Sequence, residues 1–212
     1  MEEYIPARPI TMSEARQPPM AKEIARNFAR IHSLNIPICK LSNFMDFIDD
    51  WFYKLSTNPK TPEFFAIPEW YHSHSPKQLS LSRIKEEIEF IRSKFQILNK
   101  NVVFCHNDLL GGNILLDHNN PDPSKMPTNF KPKLMFIDFE FATYNPRGFD
   151  LADHFAKYAY DYSVKSPPYT DLKKLASKKE MFSFMHAYVE ELYPNFSNEE
   201  KIKEADELLK VC

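Results

Sequence analysis

Glycine is nearly absent from this 212-residue chain: it occurs three times, at positions 111, 112 and 148. Average usage is about 7% of residues, so the placement of these three limits where the backbone can be tight. Gly111 and Gly112 are adjacent and lie inside His106-Asn107-Asp108-Leu109-Leu110-Gly111-Gly112-Asn113. Gly148 lies in the segment just after Ile137-Asp138-Phe139-Glu140. Tight backbone is therefore expected at one site, around two short acidic motifs.

The residues around the motifs predict strands. Val102-Val103-Phe104 enters the first motif, Ile114-Leu115-Leu116 leaves it, and Leu134-Met135-Phe136-Ile137 enters the second. Apolar runs this short between turn signals suit buried strands, here over 102–105, 113–117 and 133–138. Asp117 to Pro132 holds four prolines and no periodicity, which predicts a long, exposed hairpin connection. The rest reads as mostly helical. Ile24, Phe28 and Ile31 mark one face of a helix over Met20–Leu34. Ile84, Ile88, Ile91, Phe95 and Leu98 repeat with helical spacing over Ser80–Leu98, with charges opposite. Stripes at Leu151, Phe155, Tyr158 and Tyr162, and at Met181, Met185, Tyr188 and Leu192, predict two more helices. Ser197-Asn198-Glu199-Glu200 is a capping-box pattern that opens a last one. Residues 1–19 are Pro-rich and irregular, and residues 35–79 read as short helices and loops.

Composition excludes several classes. A net charge of −2 carries no electrostatic footprint for nucleic acid. No run of about 18 apolar residues exists, so no membrane span is expected, and the first residues do not form a signal peptide. Three widely spaced cysteines, Cys39, Cys105 and Cys212, show no metal or disulfide pattern. A reduced, cytoplasmic setting is expected. With 43% hydrophobic residues and 18 Phe, one domain over 1–212 can bury a sizeable core.

The paired motifs suit phosphoryl transfer, which needs an in-line acceptor, metal ions on the phosphates and a carboxylate near the acceptor hydroxyl. Asp108, in a turn after a strand, is the candidate base. Asn113 offers an amide oxygen, and Asp138 and Glu140 offer anionic oxygens, the hard ligands that Mg²⁺ favours. His106 reads as a structural residue that holds the loop by hydrogen bonds. The alternative is that Asp108 and Asn113 only make turn hydrogen bonds.

At these residues the sequence resembles the choline/ethanolamine kinase family. The resemblance continues through Phe139-Glu140-Phe141-Ala142-Thr143-Tyr144-Asn145-Pro146-Arg147-Gly148-Phe149-Asp150, then His154-Phe155 and Tyr160-Asp161-Tyr162. Glu3-Tyr4-Ile5-Pro6-Ala7-Arg8 resembles the family's hinge, where backbone meets the adenine. The resemblance implies an α+β fold, a protein-kinase-like large helical lobe with a short β-hairpin at the catalytic site. Residues 1–19 would be a hinge remnant and 100–162 the catalytic core.

The resemblance also implies ATP and Mg²⁺ as cofactors and choline or ethanolamine as the substrate. The reaction would be the first step toward phosphatidylcholine or phosphatidylethanolamine. By the same resemblance Asp108 would be the base, with Asn113, Asp138 and Glu140 at the metal. Ile5 would lie at the nucleotide, Phe141 and Tyr162 at the aromatic wall of the acceptor pocket, and Arg147 would be structural. Tyr158, four residues before Tyr162, reads as ordinary core, and Trp51 and Trp70 as core or surface anchors.

Three positions depart from the family pattern: Phe141 for the usual Tyr, Leu110 for the Gln common in choline kinases, and Lys157 for an acidic residue. No glycine-rich phosphate loop precedes the hinge, so the chain reads as truncated and of very low activity by itself. A second reading is a non-catalytic lobe that forms a homodimer or associates with a full-length relative. A third is an aminoglycoside-type phosphotransferase, which shares H-x-D-x-x-x-x-N.

Overall fold

A computed structural model describes residues 5–40, 44–73, 75–98, 102–161, 164–165 and 169–210. Helices dominate it. Helix α1 (Met12–Ala15) is opened by a capping box between Thr11 and Glu14. Helix α2 (Pro18–His32) starts with prolines at its first two positions, where no intrahelical N–H is needed. Its buried face is Met20, Ile24, Ala25, Phe28, Ala29 and His32. Ile31, expected on that face, is only half-buried, and His32 takes the core position.

Helix α6 (Lys178–Leu192) packs against α2, and α7 (Asn198–Leu209) packs against α6. Both begin with capping boxes, Ser177 with Glu180 and Ser197 with Glu200. Helix α5 (Arg147–Ala156) completes the core. There Phe28 meets His154 at 5.4 Å and Phe184 at 5.9 Å, and Phe155 meets Phe184 at 5.1 Å between ring centroids. These are mostly edge-to-face contacts, the arrangement aromatic quadrupoles favour. Tyr158 is buried here, as read from the stripe.

Seven short strands form three small antiparallel sheets among the described residues. The predicted strands are present as β4 (Val102–Cys105), β5 (Ile114–Asp117) and β6 (Leu134–Phe136). Strands β5 and β6 are the expected hairpin, with Ile114 opposite Phe136 and Leu116 opposite Leu134. Two partners were not legible in the sequence. Strand β1 (Ala7–Pro9), from the segment read as irregular, pairs with β5. Strand β7 (Thr143–Pro146) pairs with β4, with Cys105 opposite Thr143. The connection between β5 and β6 is mostly exposed, but Pro123, Met126 and Pro132 are buried and pin it to the body.

Residues 35–79 hold more order than expected. Helix α3 (Phe44–Thr57) runs 14 residues, in a stretch bracketed by Pro37 and Pro59. Strands β2 (Phe64–Ala66) and β3 (Gln78–Ser80) pair and lead into α4 (Leu81–Leu98). The apolar stripe of α4 is only half-covered, and Ile91 is exposed. Phe44, Phe95 and Phe149 join α3, α4 and α5, with centroids 4.5–5.8 Å apart. No helix among the described residues is long and apolar enough to cross a membrane.

Gly111 shows why glycine is placed where it is. A Cβ there would lie 2.5 Å from the Ile10 carbonyl oxygen. Its own carbonyl accepts the Ile10 N–H at 3.2 Å. The need is close backbone approach, since no described glycine has a positive φ. The left-handed positions are instead Asn107 and Asp138, each at φ 66°.

Candidate active site

Strand β4 delivers the chain into the first motif, and a buried carboxylate catches it. Asp150, in α5, accepts the His106 N–H on Oδ2 and the Asn107 N–H on Oδ1, both at 2.8 Å. His32 donates to the same Oδ2 from Nε2 at 3.1 Å and accepts the Tyr188 hydroxyl on Nδ1 at 2.9 Å. Burial pushes the Asp150 pKa up. The His32 contact and the two backbone donors outweigh this and hold it below the ordinary carboxylate range.

The left-handed backbone of Asn107 is held from both ends of its side chain. Its Nδ2 donates to the Phe141 carbonyl at 2.8 Å, and its Oδ1 accepts from Asn145 at 3.0 Å. A non-glycine residue in this region costs about 1–3 kcal/mol and persists where the surroundings over-determine it. Asn and Asp tolerate it best.

The two motifs are tied into one unit. His106 is fully buried and donates from Nε2 to the Ile137 carbonyl at 2.9 Å. Its Nδ1 accepts the Asp108 N–H at 3.4 Å. The His106 ring lies 4.7 Å from that of Phe139. Asn113 donates from Nδ2 to the Asp108 carbonyl at 2.9 Å, and its own carbonyl accepts the Ile137 N–H at 3.0 Å. Asn113 and Asp138 therefore sit at neighbouring positions where the hairpin opens. Asp138 and Glu140 are exposed. No cationic side chain among the described residues pairs with either. A left-handed, exposed carboxylate beside an oriented amide is a donor set that fits a hard divalent ion.

Asp108 has a cationic neighbour. Lys157 Nζ lies 2.9 Å from Asp108 Oδ1 and 3.5 Å from Asp153 Oδ1. Its ammonium also stands 6.0 Å from the centre of the Tyr160 ring. Asp108 and Asn107 also border a cleft of about 210 Å³ whose other walls include Phe44, Phe47, Trp51 and Phe141. Trp51, read from the sequence as an anchor, is 53% exposed and lines this cleft. A second cleft, of about 270 Å³, lies between Ile5, Pro6 and Ala7 and the hairpin residues Leu115, Leu134 and Met135. Arg147 is placed away from both, donating to Glu204 at 3.2 Å and to the Tyr193 hydroxyl at 3.4 Å, and so fastens α5 to the end of α6 and to α7. Tyr162 and the Glu3-Tyr4 part of the hinge motif lie outside the described residues.

The family model for choline/ethanolamine kinase matches residues 1–212. The chain belongs to this family. Choline kinase A2 of Caenorhabditis elegans is 31% identical, covering 99% of this chain and 52% of its own length. A probable ethanolamine kinase of Arabidopsis thaliana is also 31% identical, covering 97% of this chain and 48% of its own length. The solved ethanolamine kinase of Plasmodium vivax superimposes with a TM-score of 0.70 at 21% identity, covering 99% of this chain and 53% of that one. The choline kinase of Cryptosporidium parvum matches equally well, at 0.70 and 20% identity, with 99% and 59% covered. These structures share the α+β, protein-kinase-like fold, and the β5–β6 hairpin is its short sheet at the candidate site. The chain spans about half the length of the curated relatives it matches.

Sequence reasoning quoted Asp150 within the signature but gave it no role, because its partners come from segments more than 40 residues away. It also left Asn107 and Asn145 without a role.

Asp153 yields a pH prediction. Its Oδ2 is buried without a hydrogen-bond partner among the described residues. Burial pushes its pKa up to about 6, with Lys157 opposing and Asp150 and Asp108 adding to the rise. A carboxyl raised on folding keeps a proton that the unfolded chain, near 3.8, has released. Its contribution is therefore full below about pH 4 and is lost as pH rises through about 6. Asp153→Asn, neutral at every pH, is expected to raise the thermal midpoint more at pH 7.5 than at pH 4. Equal shifts at both pH values would exclude this account.

Proposed function

We propose that this chain is the acceptor-binding and catalytic portion of a choline/ethanolamine kinase, which moves the γ-phosphoryl group of ATP to the hydroxyl of choline or ethanolamine. One observation carries this reading. His106 and Asn107 bind the backbone of Ile137 and Phe141, so the Asp108 loop and the Asp138 segment form one hydrogen-bonded unit. Asp108 then holds the acceptor hydroxyl and takes its proton as the oxygen attacks phosphorus. Asn113 and Asp138 would hold Mg²⁺, with Glu140 close by in sequence. When bound, the ion neutralises charge on the phosphate oxygens. The cleft at Ile5 suits the flat faces of the adenine ring, and Phe141 suits the acceptor.

A non-catalytic reading draws support from the ion pair that Lys157 makes with Asp108 and from the half-length match. The 212 residues contain no glycine-rich phosphate loop, and positioning supplies most of the rate in this chemistry. The chain by itself is therefore expected to turn over slowly, and joining it behind the N-terminal half of a family relative should restore transfer.

The experiment is transfer of label from γ-labelled ATP to choline and to ethanolamine by that fusion, over a range of Mg²⁺ concentrations. Asp138→Ala should raise the Mg²⁺ concentration needed for half-maximal rate, because an anionic ligand is gone. An unchanged Mg²⁺ dependence would reject the ligand assignment, and no transfer to either alcohol would reject the proposed activity.

A further inference from the structure

Three histidines are buried among the described residues, His32, His106 and His154. His32 and His106 each use both ring nitrogens. His154 uses one. Its Nδ1 donates to the Leu109 carbonyl at 2.9 Å, and its Nε2 is buried with no hydrogen-bond partner among the described residues. The rings of Phe28, Tyr158 and Phe184 surround it, each with its centroid 5.4 Å away, and that of Phe155 lies at 6.1 Å.

These contacts fix the proton. A carbonyl oxygen only accepts, so Nδ1 carries the hydrogen. A second proton on Nε2 would leave an unpaired charge among aromatic rings, which is strongly unfavourable. Burial accordingly pushes the His154 pKa down to about 4, against smaller opposing effects of the Leu109 carbonyl and Asp150. The ring is therefore neutral near pH 7, and its bond to Leu109 is its one hydrogen bond among the described residues. Phenylalanine would fill similar apolar space without a buried, unpaired nitrogen. Packing therefore does not account for a histidine here.

Its place in the chain does. Asp150 and His154 are one turn apart on α5 and share a face. Asp150 accepts the N–H groups of His106 and Asn107, just before Asp108. His154 donates to the carbonyl of Leu109, just after it. Among the described residues no backbone N–H donates to that carbonyl. The carbonyls on either side are held locally: that of Asp108 by Leu110 and Asn113, and that of Leu110 by Asn113. One face of α5 thus offers an acceptor to the donors before the candidate base and a donor to the acceptor after it.

We propose that His154 is a positioning residue for Asp108: with its proton on Nδ1, it fixes the Leu109 peptide and so orients the segment that runs from the base to Asn113. It need touch no substrate. The consequence for phosphoryl transfer rests on the reading of Asp108 as the base, whereas the position of the proton and the hold on the loop do not.

Long-range ¹H–¹⁵N NMR on the labelled 212-residue chain reads the proton. The His154 ring, assigned by its loss in His154→Phe, should show a pyrrole-like Nδ1 and a pyridine-like Nε2. Amide hydrogen exchange reads the loop. His154→Phe should speed exchange at Leu110 and Asn113 by roughly 2- to 10-fold, the worth of one hydrogen bond, and leave the His106 amide, held by Asp150, unchanged. In the fusion, His154→Phe should lower kcat by up to about 10²-fold, the loss that a small misplacement produces, with little change in KM for the alcohol. His154→Asn places a side-chain nitrogen near the position of Nδ1 and empties the rest of the ring space. It should lower the thermal midpoint by several degrees yet keep kcat closer to the parent than His154→Phe does.

A proton on Nε2 overturns the proposal, as does exchange that changes no more at Leu110 and Asn113 than at His106. If kcat follows the thermal midpoint across the two variants, His154 only fills the core and the positioning role is rejected. If the parent fusion transfers phosphate to neither alcohol, the kinase reading fails and the positioning of a base fails with it. The two NMR readouts do not depend on transfer, so they separate that failure from a failure of His154 to hold the loop.

Discussion

Asp108→Asn is expected to lower transfer of phosphate to choline or ethanolamine by roughly 10²–10⁴-fold, measured as initial rates in the fusion described above. Among the described residues, Asp108 is the one acidic residue that lines the aromatic cleft. Its backbone is fixed by the His106 ring and the Asn113 amide, at 3.4 and 2.9 Å. The amide of asparagine keeps size and shape but has almost no basicity, so binding of Mg-ATP should survive while turnover falls. The Lys157 ammonium loses its partner at 2.9 Å, and a modest stability change is expected from an ion pair that remains partly in contact with solvent. A variant that turns over within threefold of the parent would show that Asp108 only holds a turn, and the proposed mechanism would be lost with it.

Asp150→Ala should produce the largest loss of stability of any single polar substitution, about 3–5 kcal/mol. The side chain is buried and accepts from two backbone N–H groups and His32. Alanine leaves those donors facing apolar surroundings, and each unsatisfied buried group costs about 1–3 kcal/mol. His32 cannot easily turn to another partner, because its other ring nitrogen is held by the Tyr188 hydroxyl. Against a typical total of about 5–15 kcal/mol, this is enough to unfold much of the population. Asp150→Asn keeps one oxygen and should lose less. Urea denaturation followed by circular dichroism gives both values. A loss under about 1 kcal/mol for alanine would mean that the loop is held by other contacts.

Local patterns carried a large part of the fold. The hairpin was legible because apolar runs of three or four residues flank turn signals on both sides. The openings of α6 and α7 were legible because a Ser and a Glu three residues later satisfy each other's orphan donors within one turn. Strands β1 and β7 were not, because three or four residues ending in proline carry no strand signal until a partner supplies the ladder. Helix α3 was obscured by aromatic residues on several faces. Its exposed Trp51 could be read only as an anchor, since its neighbour Asp108 lies 57 positions away in the chain.

The sequence by itself determined the chemistry on offer: two carboxylates and an amide at fixed spacing, in a family whose model matches the whole chain. It also determined where close packing is needed, because Gly111 admits a backbone that any Cβ would repel. Only the tertiary structure decided how these groups are held and what surrounds them. Asp150 reaches back more than 40 residues to fix the loop, Lys157 pairs with the candidate base, and α3 supplies three residues that line the aromatic cleft. The physical reason is that hydrogen bonds, ion pairs and ring contacts depend on distances of a few ångströms. Spacing along the chain sets those distances only within one helical turn or one hairpin. Beyond that, the packing of α2, α5 and α6 around a common core decides which side chains meet.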